Sequence, residues 1–111
     1  MPKLPHGERA VVEIEKLREY ALNAMHARGK HKARVFQAAL GLTLADSDWL
    51  REFLLRAARE EDASGDILSP FGMKYVIDFN VSRGDLSAVV RSTWIVEHGT
   101  EFPRLTSCYI K

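Results

Sequence analysis

Apolar positions recur every three to four residues in the first half of the chain and every second residue in the last third. Ile14, Leu17, Tyr20 and Ala21 mark a first amphipathic helix. A lead-in from Met1 to Ala10 precedes it, with turn signals at Pro5 and Gly7, and Val11-Val12 reads as a short extended piece. The polar stretch from Asn23 to Gly29 reads as a loop. A second helix is expected from about Lys30 to Leu40, with Val35, Phe36, Ala39 and Leu40 as its apolar face and Gly41 as its stop. A third helix follows at once. Thr43 is its N-cap, Asp46 stands at a capping-box position, and Trp49, Leu50, Phe53, Leu54 and Ala57 form its buried stripe, ending near Glu61.

Beyond Gly65 the period becomes two. A short strand is expected from Asp66 to Ser69. Pro70-Phe71-Gly72 is a turn, and Met73, Tyr75, Ile77 and Phe79 form the core face of a strand that ends at Val81. Ser82-Arg83-Gly84-Asp85 reads as a hairpin connection. The next strand, Leu86 to Val96, has an apolar face of Leu86, Ala88, Val90, Trp94 and Val96, interrupted only by Ser92. On the last strand, Arg104 to Ile110, Ser107 and Tyr109 share a face with Leu105 by simple alternation. The whole reads as one α+β domain over residues 1–111, with a helical part over about 11–61 and a sheet part over about 66–111. Three N-terminal helices pack on one face of a small, twisted, mainly antiparallel sheet of three to four strands.

Composition adds limits. About half of the 111 residues are apolar, enough to build a core without disulfide or metal clips. Sixteen basic residues against fifteen acidic ones give a net charge of +1. That balance argues against a protein that coats nucleic acid over its whole surface, but it allows a local basic cleft. The single cysteine, Cys108, rules out an internal disulfide and a cysteine-rich zinc site. The four histidines are scattered. His26 and His31 are five apart across a glycine, so no metal site and no cofactor are expected. No apolar run approaches membrane-spanning length and no secretory signal precedes the domain. The expected compartment is therefore the cytoplasm, although a domain delivered as part of a larger system would read the same.

Two groups of residues carry candidate chemistry. The first is the basic tract Gly29-Lys30-His31-Lys32-Ala33-Arg34, which opens the second helix. Lys30 and Arg34 share a side, while His31 falls on the side of Val35, where its ring could be partly sheltered. Cations at a helix N-terminus oppose the macrodipole, and no carboxylate in the tract offsets them. The tract reads either as a phosphate-binding edge or as the solvated start of a helix. The second group is the polar sheet surface. Asp78 and Arg91 are expected as diagonal neighbours or one pair beyond, and Thr93, Thr106, Ser107 and Tyr109 bring hydroxyls toward them.

The segments Lys16-Leu17-Arg18-Glu19-Tyr20, Gly29 to Phe36, Leu40-Gly41-Leu42-Thr43, Tyr75 to Phe79, Val90 to Val96 and Phe102-Pro103-Arg104-Leu105 to Tyr109 resemble a family of small uncharacterised bacterial domains. The resemblance covers nearly the whole chain and carries no assigned activity. More loosely, a basic His/Lys helix followed by a four-stranded sheet with Arg and hydroxyl residues resembles the metal-independent ribonucleases and tRNA-cleaving toxins of the barnase-like, colicin-type and RelE-like kinds. That likeness implies His31 as general acid or base, with Lys32 and Arg91 stabilising phosphorane-like charge and Thr93 or Ser107 orienting phosphate. Lys30, Arg34, Asp78 and Tyr109 would be further phosphate or substrate contacts. The chain lacks a Glu–His pair of the barnase kind, and Asp78 is the nearest substitute. The expected partner is RNA or tRNA. The competing reading is a non-enzymatic interaction or toxin-neutralising domain, with a protein partner on the final strand at Cys108 and Ile110. Neither a P-loop nor a dinucleotide fingerprint occurs.

Overall fold

A computed structural model describes residues 2–26 and 30–111, without the side chain of Asp66. The end of the expected 23–29 loop, and with it Gly29 of the basic tract, lies outside the described residues. A short helix, α1 (Ile14–Lys16), widens into a π-helical turn, Leu17–Ala21. It is followed by α2 (Lys30–Leu40), a 3₁₀ turn at Leu44–Asp46, and α3 (Ser47–Glu60). Four strands complete the chain: β1 (Ser64–Ser69), β2 (Gly72–Arg83), β3 (Leu86–Glu97) and β4 (Arg104–Ile110). They form one antiparallel sheet in the order β1-β2-β3-β4. The class is α+β.

Val11 adds a parallel one-residue rung to β4, its N–H donating to Pro103 O at 2.8 Å and its carbonyl accepting from Leu105 at 3.0 Å. This extra piece lies beyond the three to four antiparallel strands expected. Arg51 of α3 reaches the same lead-in and donates to Val12 O at 2.8 Å. The third helix starts as its sequence signals require. The Asp46 carboxylate accepts the Thr43 N–H at 2.8 Å, which satisfies a donor the helix leaves open. Gly41 ends α2 at φ +66°, a left-handed conformation that glycine adopts without a Cβ penalty.

The core lies between the helices and one face of the sheet. Leu17, Phe36, Leu40, Leu50 and Leu54 pack with Ile77, Phe79, Val90, Trp94 and Leu105. Ser92, the one polar interruption of the β3 core face, is buried for a reason. Its hydroxyl donates to Ile77 O and accepts the Trp94 indole N–H, both at 2.9 Å. A buried indole N–H needs such a partner.

Several expected placements are corrected. The hairpin between β2 and β3 has a two-residue turn, because Ser82 and Arg83 stay in the ladder and Arg83 pairs with Leu86. Gly84 takes φ +60°, the sign that a type II′ hairpin needs at its first turn position. The tighter turn makes Asp78 and Arg91 direct cross-strand partners, not diagonal ones. A register shift between Thr93 and Trp94 leaves Thr106 as an extra residue on β4. That bulge breaks the alternation, so Leu105 and Cys108 face the core while Ser107 and Tyr109 lie on the opposite, open face. Cys108, 1% exposed, is therefore no docking residue. On α2 the buried residues are Ala33, Phe36 and Leu40; Val35 and His31 are exposed. Tyr20, expected in the first helix's buried stripe, is 48% exposed. The π turn, closed by Leu22 N–H to Leu17 O at 2.9 Å, turns Leu17 and Ala21 inward and leaves Tyr20 out.

Candidate functional site

The open face of the sheet carries one polar rank across three strands. Asp78 on β2, Arg91 on β3 and Tyr109 on β4 are paired in sequence across the ladder. Arg91 Nε and Nη2 donate to the two Asp78 carboxylate oxygens at 2.8 and 2.9 Å, a fork that suits the planar guanidinium. Lys111 Nζ joins Asp78 at 3.1 Å. Hydrogen bonding from Arg91, assisted by Lys111, holds the Asp78 carboxyl down at about 2. Arg91 is raised in turn, first by Asp78 and then by the neighbouring Tyr109 hydroxyl. Beyond the β4 edge, Lys32 Nζ stands 5.3 Å from the Tyr109 ring centroid, within the range of a cation–π contact. Tyr109 thus links the basic tract of α2 to the Asp78–Arg91 pair.

A second rank holds the hydroxyls. Thr93 Oγ1 is 2.6 Å from Thr106 Oγ1 and 3.0 Å from Ser107 Oγ. The β4 bulge makes this cluster possible by bringing two consecutive β4 hydroxyls to one threonine. Thr106 and Ser107 also line a groove of about 290 Å³ between the π turn, α2 and β4, together with Lys16, Leu17, Tyr20 and Lys32. Cys108 forms part of its floor. Burial pushes the Cys108 thiol up to about 12, with a small opposing pull from Lys32, so it stays a protonated, unreactive thiol at neutral pH. An open hollow of about 220 Å³ lies beside the groove, lined by His31, Lys32, Val35, Tyr109 and Ile110.

Lys32 is common to both cavities, and His31 lines the hollow. Arg91 lines neither and is occupied by Asp78 and Tyr109. His31 is exposed, contrary to the expected partial shelter, because its side of α2 faces the open hollow. Lys30 and Arg34 sit about a turn apart on another side of α2 and line neither cavity. The sequence reading passed over Lys16 and Tyr20 as site residues. The π turn that sets the Tyr20 ring outward beside Lys16 has no signal in plain helical spacing. Among the described residues, no group of three or more His, Cys, Asp or Glu side chains is placed to hold a metal ion. No helix among them is long and apolar enough to cross a membrane.

The Asp78 carboxylate makes a testable contribution to stability. Its folded pKa lies below the unfolded value of about 3.9, so its stabilisation is complete above that value. It is lost as the pH falls through 3.9 toward about 2. The side chain keeps 29% of its surface in water, so solvent screening reduces its worth to about 1 kcal/mol. Asp78→Asn should lower the unfolding free energy obtained from urea titration at pH 7 by that amount and bring the two proteins together near pH 2. A gap that persists undiminished at pH 2 would show that the carboxylate charge is not the source.

No curated protein and no solved structure matched the chain. Residues 3–111 match the family described as a domain of unknown function, DUF6883, and the chain belongs to that family.

Proposed function

We propose that this domain binds RNA through the groove between α2 and β4 and cleaves it by transesterification at the neighbouring hollow. The observation that carries the reading is the position of Lys32. It joins a groove holding a second lysine and two strand hydroxyls to a hollow holding His31. Lys16 and Lys32 supply positive charge, and Thr106 and Ser107 supply hydrogen bonds, which together are the groups a phosphodiester needs. RNA brings its own nucleophile. Its 2′-oxygen attacks phosphorus, the bond from phosphorus to the 5′-oxygen breaks, and a 2′,3′-cyclic phosphate forms. The net proton transfer runs from the 2′-hydroxyl to the departing 5′-oxygen. His31 is the exposed imidazole beside Lys32, and an imidazole can act as either general base or general acid.

In this reading Lys32 stabilises the charge that builds on phosphorus oxygens. Arg91 acts one step back: paired with Asp78, it sets the position of Tyr109, and Tyr109 underlies Lys32. The substrate is RNA or tRNA, and the working compartment is the cytoplasm. The test is incubation of the purified domain with bulk tRNA and single-stranded RNA in EDTA. Fragments with 2′,3′-cyclic phosphate and 5′-hydroxyl ends are expected, along with complete resistance of the 2′-deoxy counterpart. Intact RNA across all substrates would overturn the reading.

A second reading, a protein-interaction domain, rests on Ile67, Leu68 and Phe71. They are exposed together around the β1–β2 turn at the far edge of the sheet. It predicts no RNA cleavage, with binding to a protein partner lost on substitution of those three residues.

A further inference from the structure

We infer that the groove is a nucleoside-sized pocket in which Tyr20 stacks on one unpaired RNA base. The inference rests on the RNA reading of the same groove and names the part of the substrate that it recognises. Tyr20 lies on the π turn and exposes 48% of its surface. π-helical geometry is rare, occurs mostly as single turns, and is frequent at functional sites. Here it presents an aromatic ring that plain helical spacing would have turned toward the core. The Tyr20 ring already meets the His26 ring at 4.3 Å between centroids, tilted by 42°. That tilted contact leaves about half of Tyr20 exposed at the groove, where a base can meet its ring.

The rest of the lining fits the same occupant. Buried Leu17, Ala21 and Leu105 close the base of the groove, leaving the Tyr20 ring as its exposed apolar surface, and Lys16 and Lys32 give charge for the phosphate attached to a base. Lys16 and Tyr20 are four residues apart on one helical segment, so charge and ring reach the groove from the same side. At about 290 Å³ the groove is at the small end of ligand pockets, which run from about 300 to 1,000 Å³. That volume suits one nucleotide and excludes a duplex, whose bases are already stacked and paired. Stacking on an aromatic ring tolerates any base, because every base has a π-face. The pocket should therefore demand an unpaired base more than a particular one.

The test uses fluorescence anisotropy with a short single-stranded oligonucleotide, 2′-fluoro at every sugar so that it resists cleavage. The same backbone with abasic sites serves as the comparison, and the duplex as a second. The wild-type domain should bind the base-bearing strand roughly 10- to 100-fold more tightly than the abasic one, and the duplex weakly. Tyr20→Ala should erase that preference, while Tyr20→Phe, which keeps the ring and the fold, should retain it. Equal binding of base-bearing and abasic strands by the wild type would overturn the inference and leave the RNA reading standing. So would a preference that survives in Tyr20→Ala. Binding to neither strand would overturn both. A clear base preference without cleavage would support the pocket and overturn only the proposed transesterification.

Discussion

Replacing Trp94 by alanine should cost this fold about 3–5 kcal/mol of stability. Trp94 is completely buried in β3, opposite Tyr75 on β2 and Leu105 on β4. Its ring carries a large share of the apolar surface that joins the sheet to the helices. Truncation removes that burial and leaves a cavity that neighbouring backbone cannot close, because three strands are hydrogen-bonded around it. It also removes the indole N–H that bonds to the buried Ser92 hydroxyl, leaving that hydroxyl only its bond to Ile77 O. Domains of this size are stable by only about 5–15 kcal/mol, so the variant should be partly unfolded at modest temperature. Urea denaturation followed by circular dichroism is the measurement, with Phe71→Ala as the comparison. Phe71 is also aromatic but is 72% exposed on the β1–β2 turn, and its loss should change stability by no more than about 0.5 kcal/mol. Similar costs at the two positions would contradict the assignment of the core to the helix-facing side of the sheet.

The elements themselves were legible because their signals are local. Lys30 to Leu40 carries a full helical stripe and a stop glycine, and Thr43 with Asp46 carries a cap, and both occur where expected. Strand boundaries followed from alternation and turn residues in the same way. What escaped were features set by one residue more or less. The hairpin at Gly84 is two residues long, not four, and this moved Arg91 from a diagonal position to one directly opposite Asp78. The bulge at Thr106 reversed the faces of β4. A register slip of one residue exchanges the two faces of a strand, and nothing in the composition of Leu105-Thr106-Ser107 announces a bulge. The π turn is the helical counterpart. One extra residue per turn shifted Tyr20 out of the apolar stripe.

The candidate site was legible only as two separate halves. The basic tract and the polar strand residues could each be named, but Tyr109, expected as a further substrate contact, carried no sign that it joins them. Its linking position depends on the β4 bulge and on the approach of α2 to the β4 edge, both of which are tertiary. The same holds for Lys16, which reaches the groove only because the first helix crosses beside β4. The structure also divides the expected catalytic group. Lys32 and His31 share a hollow, whereas the Arg91 fork is filled by Asp78. An arginine already paired with a carboxylate is a poor primary phosphate ligand, since binding phosphate would mean giving up two charge-assisted hydrogen bonds. In the proposed RNA reading Arg91 therefore becomes a positioning residue rather than a charge stabiliser, and Lys16 takes over part of its expected task.

That division yields a sharp kinetic expectation for His31 and Lys32. His31→Ala should slow RNA cleavage by about 10²–10⁴-fold, the usual worth of a positioned proton-transfer group, while leaving the affinity for an uncleavable strand nearly unchanged. His31 is exposed at the hollow and outside the lining of the groove, so in the proposed reading its truncation removes proton transfer without removing a phosphate contact. Lys32→Ala should lower both quantities, because Lys32 faces both cavities. Its loss should also reduce the slope of log affinity against log salt concentration by about 0.7, the share of one phosphate contact on a single strand. Lys32→Arg should restore the slope and only part of the rate, since a planar fork replaces a compact ammonium against the Tyr109 ring. The pH profile separates proton transfer from position: the wild-type rate should bend with pH, and His31→Ala should lose that bend. If His31→Ala instead weakens binding and cleavage by the same factor, His31 is a contact residue. The proton must then travel through another group of the hollow, with Tyr109 the first to replace.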